Sequence, residues 1–195
     1  MNNVIISFAL LLCIGCATDN QQTNTTKVIT KAEMFKVAKT EKLKTVITTV
    51  NNEGLNISDE LYDLQFKIEK TADNKHSLVI AIKLHNGASF ISPFETKEFL
   101  GKFYMDLGSF KDLSFDENII ETPQAVAEYD GFENAPVIWV KENTTYKQSL
   151  NILSENDFEV LGRLKFTIEP RCSLEEIPFG ILYKDGKMTI FSAKC

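Results

Sequence analysis

Histidine is nearly absent: His76 and His85 are the only two in 195 residues. They bound the same strand-like run and stand roughly 30 Å apart at the rise of an extended chain, too far to serve one site. A serine or cysteine nucleophile needs a base within hydrogen-bond reach, and neither histidine lies beside a motif such as G-x-S-x-G. Zinc asks for about four converging ligands, and calcium for a loop of the D-x-[DN]-x-[DN]-G kind; the sequence offers neither. Positive charge is also in deficit, with 21 Lys and Arg against 27 Asp and Glu, a net charge of −6 and a pI near 5.1. Phosphate backbones are held by clustered Lys and Arg, so nucleic acid is not an expected partner. Long apolar runs are missing too. Val4–Ile14 (VIISFALLLCI) falls short of the ~20 residues of a membrane-spanning helix. No long helical pattern and no internal repeat is visible. These absences predict no catalytic set, no metal and no cofactor.

What is present favours strands. The chain is 44% hydrophobic and carries 14 Phe, with Val and Ile recurring, a composition suited to pleated, half-buried surfaces. One domain is the default at this length. Leu43–Val50 reads as a strand, followed by a turn at Asn51–Gly54. Whether Ile29–Lys44 before it is helix or strand stays open. Period-two alternation marks Asp63–Lys70 (Leu64, Phe66, Ile68 on one face) and Ser77–His85 (Leu78, Ile80, Ile82, Leu84) as a hairpin. Gly101–Leu107 alternates through Phe103, Met105 and Leu107. Asn118–Thr122 is a short strand stopped by Pro123, and Gln124–Ala135 is acidic and loop-like. Pro136–Lys141 is apolar on both faces, as a central strand would be. Thr145–Ile152 carries Tyr146, Leu150 and Ile152 in phase. Ser154–Asp157 suggests one helical turn with Ser154 as N-cap.

Phe158–Glu169 is the longest alternating run. The last hairpin is the sharpest local expectation: Ile181–Lys184 and Lys187–Ile190 flank Asp185-Gly186, a two-residue type I′ signal. That turn opposes Tyr183 to Met188, Leu182 to Thr189 and Ile181 to Ile190. The expected fold is therefore all-β, an antiparallel β-sandwich of about eight strands over residues 31–195. The order of strand, turn with Asp157, long alternating strand and hairpin resembles the E, F and G region of immunoglobulin-like folds.

At the N-terminus the apolar run Val4–Ile14 fits the core of a secretory signal. It ends in Cys13-Ile14-Gly15-Cys16, after which the chain turns polar. This run resembles the lipobox of bacterial lipoproteins. The resemblance implies a signal peptide over 1–15, cleavage before Cys16 and lipidation of its sulfur. Ala17–Lys27 is rich in Thr, Asn and Gln and reads as a solvated linker, so the lipidated Cys and polar linker are expected over 16–30. Two or more acyl chains hold a protein stably at a bilayer, so the partner implied here is a membrane reached through the lipid anchor. Ala17 resembles the residue that follows the lipid site in outer-membrane lipoproteins, facing either the periplasm or the surface.

Cys172 and Cys195 are the pair left over. An extracytoplasmic address permits disulfides, and a structural bridge between them, worth about 3 kcal/mol, is the expectation; free thiols are the alternative. Two aromatic residues, Trp139 and Tyr146, are candidates for a ligand platform, with core packing as the competing reading. Carboxylate pairs at Asp116-Glu117, Glu128/Asp130, Asp157/Glu159 and Glu175-Glu176 invite glycosidic chemistry but read as solvated loop charge. The expected function is a lipid-anchored extracytoplasmic binding module of a bacterial envelope, presenting sandwich-end loops to an envelope protein or glycan. An immunoglobulin-like peptidase inhibitor and a carboxylate-dependent hydrolase are the alternatives, the first resting on fold analogy alone.

Overall fold

The computed structural model describes residues 46–51, 54–71, 75–108 and 110–193, all within the compact unit Leu43–Cys195. The expected signal peptide, the lipid-bearing Cys16, the linker, the Ile29–Lys44 segment and Cys195 lie outside the described residues.

Among the described residues there is no helix, and antiparallel strands number thirteen instead of about eight. Four consecutive strands, β1 (Ile47–Asn51), β2 (Gly54–Ser58), β3 (Tyr62–Lys70) and β4 (His76–Leu84), pair as a meander. Two short strands follow, β5 (Phe90–Ile91) and β6 (Tyr104–Asp106). Then come β7 (Leu113–Thr122), β8 (Ala127–Asp130), β9 (Ala135–Val140) and β10 (Thr144–Ile152). The chain closes with β11 (Phe158–Ile168), β12 (Ser173–Lys184) and β13 (Lys187–Ser192). They form a six-stranded sheet ordered β1-β2-β3-β4-β10-β7, a four-stranded sheet β13-β12-β11-β6 and a three-stranded sheet β5-β9-β8.

Alternation decides which face each strand buries. In β11, Phe158, Val160, Gly162, Leu164, Phe166 and Ile168 are buried, while Glu159, Leu161 and Arg163 are exposed. From the six-stranded sheet, Leu64, Phe66, Leu78, Ile80 and Tyr146 answer them. Ring contacts join the sheets face to face. Phe66 meets Phe179 at 5.4 Å between centroids, and Tyr62 meets Phe166 edge-on at 5.4 Å. Phe90 of the small sheet touches Phe103, Tyr146 and Phe166. Each such side chain contributes roughly 1.5–3 kcal/mol when moved from water to the core. The final hairpin has the predicted register, with Tyr183 opposite Met188, Leu182 opposite Thr189 and Ile181 opposite Ile190. Its turn residues, Asp185 and Gly186, both have positive φ (51° and 72°), as a type I′ turn requires.

Several expectations are corrected. Asn118–Thr122 extends back to Leu113, and Gln124–Ala135 contains β8. Ser154–Asp157 is a bend in which Ser154 Oγ accepts the Asn156 N–H at 3.2 Å, not a helical turn. His76, where an exposed strand-end histidine is the sequence expectation, is buried (6% exposed) on β4 opposite Leu150 of β10. The chain passes from the six-stranded to the four-stranded sheet between β10 and β11. In immunoglobulin domains strand B neighbours E, whereas here the first four strands pair in sequence order.

One charged cluster ties the sheets together. Arg171, in the turn before β12, donates to Asp59 Oδ1 (2.9 Å), in the β2–β3 turn, and to Glu175 Oε1 (3.0 Å) on β12. Glu175 also accepts from Tyr62 Oη and Ser173 Oγ, both at 2.7 Å. Both carboxylate side chains are 1% exposed. Burial works against the Arg171 charge, but its bonds to Asp59 and Glu175 outweigh it and raise the guanidinium pKa. Burial first, and Glu175 second, push the Tyr62 hydroxyl well above the usual phenol range.

Candidate functional site

The small sheet β5-β9-β8 forms one wall of a cleft of about 490 Å³. Trp139 on β9 is half-buried at its centre. In an antiparallel pair, directly opposed residues share a face. Glu128 opposes Val137 and Asp130 opposes Ala135, so Glu128 and Asp130 lie on the face of Val137, Trp139 and Lys141. Side-chain bonds follow from that register. Trp139 Nε1 donates to Asp130 Oδ2 at 3.0 Å, and Lys141 Nζ pairs with Glu128. The indole edge is thereby fixed and its ring held in place.

Asp130 does a second job. Its Oδ1 accepts the N–H groups of Phe132 (2.8 Å) and Glu133 (3.0 Å), folding the β8–β9 connection back on itself. The Glu133 amide, followed by the Trp139 bond, lowers the Asp130 pKa. At the end of that turn Tyr129 Oη donates to Asn134, whose φ is +50°. The opposite wall comes from Phe99 and Leu100, from Thr167 at the end of β11, and from Glu169. Leu100 and Phe132 are almost wholly exposed (101% and 95%). The lining thus combines aromatic and aliphatic surface with four carboxylates, Glu128, Asp130, Glu133 and Glu169, against one cation, Lys141.

Two buried carboxylates anchor this wall to the sandwich. Glu95 Oε2 accepts the Ile138 N–H (2.8 Å) and its Oε1 accepts the Lys97 N–H (2.9 Å). The Lys97 bond is the main reason its pKa is lowered. Glu121 Oε2 accepts from Tyr146 Oη (2.7 Å) and Ser92 Oγ (2.8 Å), and its Oε1 from the Ala125 N–H (2.8 Å). Charge-assisted bonds of this kind hold backbone where packing alone would not. Neither residue stands out in the sequence, because each also takes a donor from a distant element, Ile138 for Glu95 and Tyr146 and Ser92 for Glu121.

The remaining candidates separate. Trp139 is at the cleft. Tyr146, the other proposed platform, is fully buried and stacked on Phe103 at 4.0 Å between centroids. It is a core residue whose hydroxyl serves Glu121. His85 bonds Asp63 at 2.8 Å. Of the carboxylate pairs, only Glu128 and Asp130 reach the cleft. Asp157 accepts the Asp185 N–H, and Glu176 pairs with Arg163 and Lys165. Among the described residues, no group of three or more His, Cys, Asp or Glu converges as a metal cage.

Cys172 is exposed, and its Sγ donates to Glu169 Oε2 at 3.0 Å. That carboxylate raises the thiol pKa. Ser192, the last paired residue of β13, lies opposite Phe179, about 23 Å along the strand from Cys172. The three residues from Ser192 to Cys195 reach about 11 Å, and a disulfide spans at most about 7 Å between Cα atoms. A bridge from Cys172 to Cys195 therefore requires the end of β13 to leave its ladder. Compared with known proteins, the chain matches no family model and no curated sequence at a significant level.

Proposed function

We propose that this chain is a lipid-anchored, extracytoplasmic binding module of a bacterial envelope, held at the outer membrane through Cys16, and that the Trp139 cleft is its recognition surface. The observation that carries the reading is the pre-fixed indole in a cleft of about 490 Å³ with a polar, acidic rim. Concave, largely apolar surfaces with a few placed polar groups are where ligands bind. Here the polar groups are spent on holding Trp139 and the β8–β9 turn still, which suits recognition more than catalysis. The address rests on the apolar run and the lipobox-like Cys13–Cys16.

Trp139 is the only tryptophan in the chain, so intrinsic tryptophan emission reports on the surroundings of this one indole. Titration with panels of peptides and envelope oligosaccharides should move that emission saturably, and Trp139→Ala should abolish binding while leaving the fold intact. A full panel with no response would overturn the cleft as recognition surface. Intact mass of the native protein tests the anchor. An acylated chain starting at Cys16 is expected, and an unmodified chain starting at Met1 refutes it.

The peptidase-inhibitor reading has one observation in its favour, the projecting Phe132 in the turn before β9. It predicts near-stoichiometric inhibition of a peptidase and loss of inhibition in Phe132→Ala.

A further inference from the structure

Resting on the cleft reading above, we infer that the outer edge of β8 takes up a basic peptide segment as an added strand, with alternate Lys or Arg side chains entering the acidic aromatic cleft.

Backbone phase is the first support. Ile138 sends its N–H to Glu95 Oε2 and accepts the Ser92 N–H on its carbonyl at 3.0 Å. Its main chain therefore faces β5 and the loop after it, not β8. Residues of an antiparallel pair alternate between bonded and non-bonded positions, so Ala127, opposite Ile138, turns its own N–H and C=O outward. Tyr129, two residues on, does the same. It stands opposite Pro136, which has no N–H to give. Among the described residues, the backbone groups of Ala127 and Tyr129 meet no further hydrogen-bond partner.

The edge carries acids that repel a copy of itself but lacks the devices that block every partner. Native edge strands discourage pairing with lysines, prolines or bulges. The long edge strand β7 is bulged against β10. In contrast β8 (AEYD) has no lysine, no proline and no bulge. Exposed apolar side chains stand on and beside it, Tyr129 at 68%, Val126 at 70% and Phe132 at 95%.

Charge selects the occupant. An added strand lies about 4.8 Å from β8, and every second side chain falls on the face of Glu128, Asp130 and Trp139. Lys141, the one cation there, is already paired with Glu128. Cationic side chains would meet carboxylates and aromatic faces together, the setting for cation–π contact. A second copy of this chain is disfavoured, because β8 against β8 would oppose acid to acid in a protein of net charge −6.

The test uses the folded protein and three probes: an acetylated Lys-Val-Arg-Val-Lys-Val amide, the same peptide with Glu at the basic positions, and the basic peptide N-methylated at alternate residues. A neutral N-acetylglucosamine oligomer is the fourth arm. The basic peptide should quench or shift Trp139 emission, weaken as salt rises, and slow amide hydrogen exchange at Ala127 and Tyr129. Alternate N-methylation, or Ala127→Pro, should weaken binding about tenfold by removing ladder bonds. Ala127→Pro touches no cleft side chain, and proline is tolerated on an edge whose N–H faces solvent; an unchanged melting temperature confirms its fold. Equal binding of the acidic peptide, or binding without protection of Ala127 and Tyr129, overturns the inference. A response to the oligomer alone overturns it but leaves the cleft reading standing. No response to any probe overturns both.

Discussion

Arg171→Met offers the sharpest test of how the two large sheets are tied. The guanidinium sits between Asp59 and Glu175, whose side chains are each 1% exposed. Methionine keeps most of the length and packing but removes the charge, leaving two carboxylates buried without it. Removing one partner of a buried ion pair typically costs about 3–5 kcal/mol, because the surviving charge loses its compensation. Arg171 itself is 23% exposed, so water can enter beside it, and Tyr62 and Ser173 still donate to Glu175. The low end, about 3 kcal/mol, is therefore expected. For a domain of this size each kcal/mol moves the melting temperature by about 2–4 °C, giving a drop of about 6–12 °C. Urea unfolding should show the midpoint falling with the slope unchanged, since the surface exposed is the same. The triple variant Asp59→Asn, Arg171→Met, Glu175→Gln should recover much of the loss, because no buried charge is stranded. A loss under about 1 kcal/mol for Arg171→Met, or no recovery in the triple variant, would refute the account.

His76 Nδ1 is buried without a partner, and burial, followed by the nearby Lys70 charge, lowers its pKa below 6.5. The unfolded chain therefore binds this proton first. Stability is fully present above about pH 6.5 and falls as the pH drops below it, by at most ~1.4 kcal/mol per unit; His76→Gln should flatten the urea midpoint between pH 7.5 and 5. Gly101 has φ +87°, and a Cβ there would stand 1.8 Å from Thr167 Oγ1. Gly101→Ala should cost more than about 1 kcal/mol and shift Trp139 emission, since Leu100 and Thr167 both line the cleft. Cys172 should alkylate in the native protein without reductant, more slowly than a free thiol, and Glu169→Gln should speed it. Failure to alkylate, with a mass showing two fewer hydrogens, would mean the end of β13 unpairs to form the bridge.

Legibility tracked one-sided burial. β11 and the β12–β13 hairpin could be read from residues alone because one face is core and the other water, so the pattern names the face and the turn names the register. β8 could not. All but one of its residues are exposed, which erases alternation, and its charges imitate a loop. β5 is two residues long, below what any periodicity can mark. The first half of β12 hides for another reason. Its Glu175-Glu176 looks solvated until Arg171 and Tyr62, the latter 113 residues away in sequence, are placed around Glu175. A buried carboxylate is a non-local fact, and the same holds for Glu95 and Glu121.

The site shows the same limit from the other side. Trp139 could be read as core or as platform, and both readings describe part of one strand face. Val137 is fully buried, Trp139 half-buried and Lys141 exposed, so the face runs from core to solvent across the indole. What the residues could not disclose is that Asp130 and Glu128 bond to Trp139 and Lys141, because that depends on β8 pairing with β9 in one register out of several. Once the register is known, the acidity of β8 has a physical use. Glu128 is too exposed for its ion pair to stabilise the fold much, yet with Asp130 it discourages this edge from joining its own copy. A strand that repels itself while leaving the backbone groups of Ala127 and Tyr129 open is suited to a partner of opposite charge.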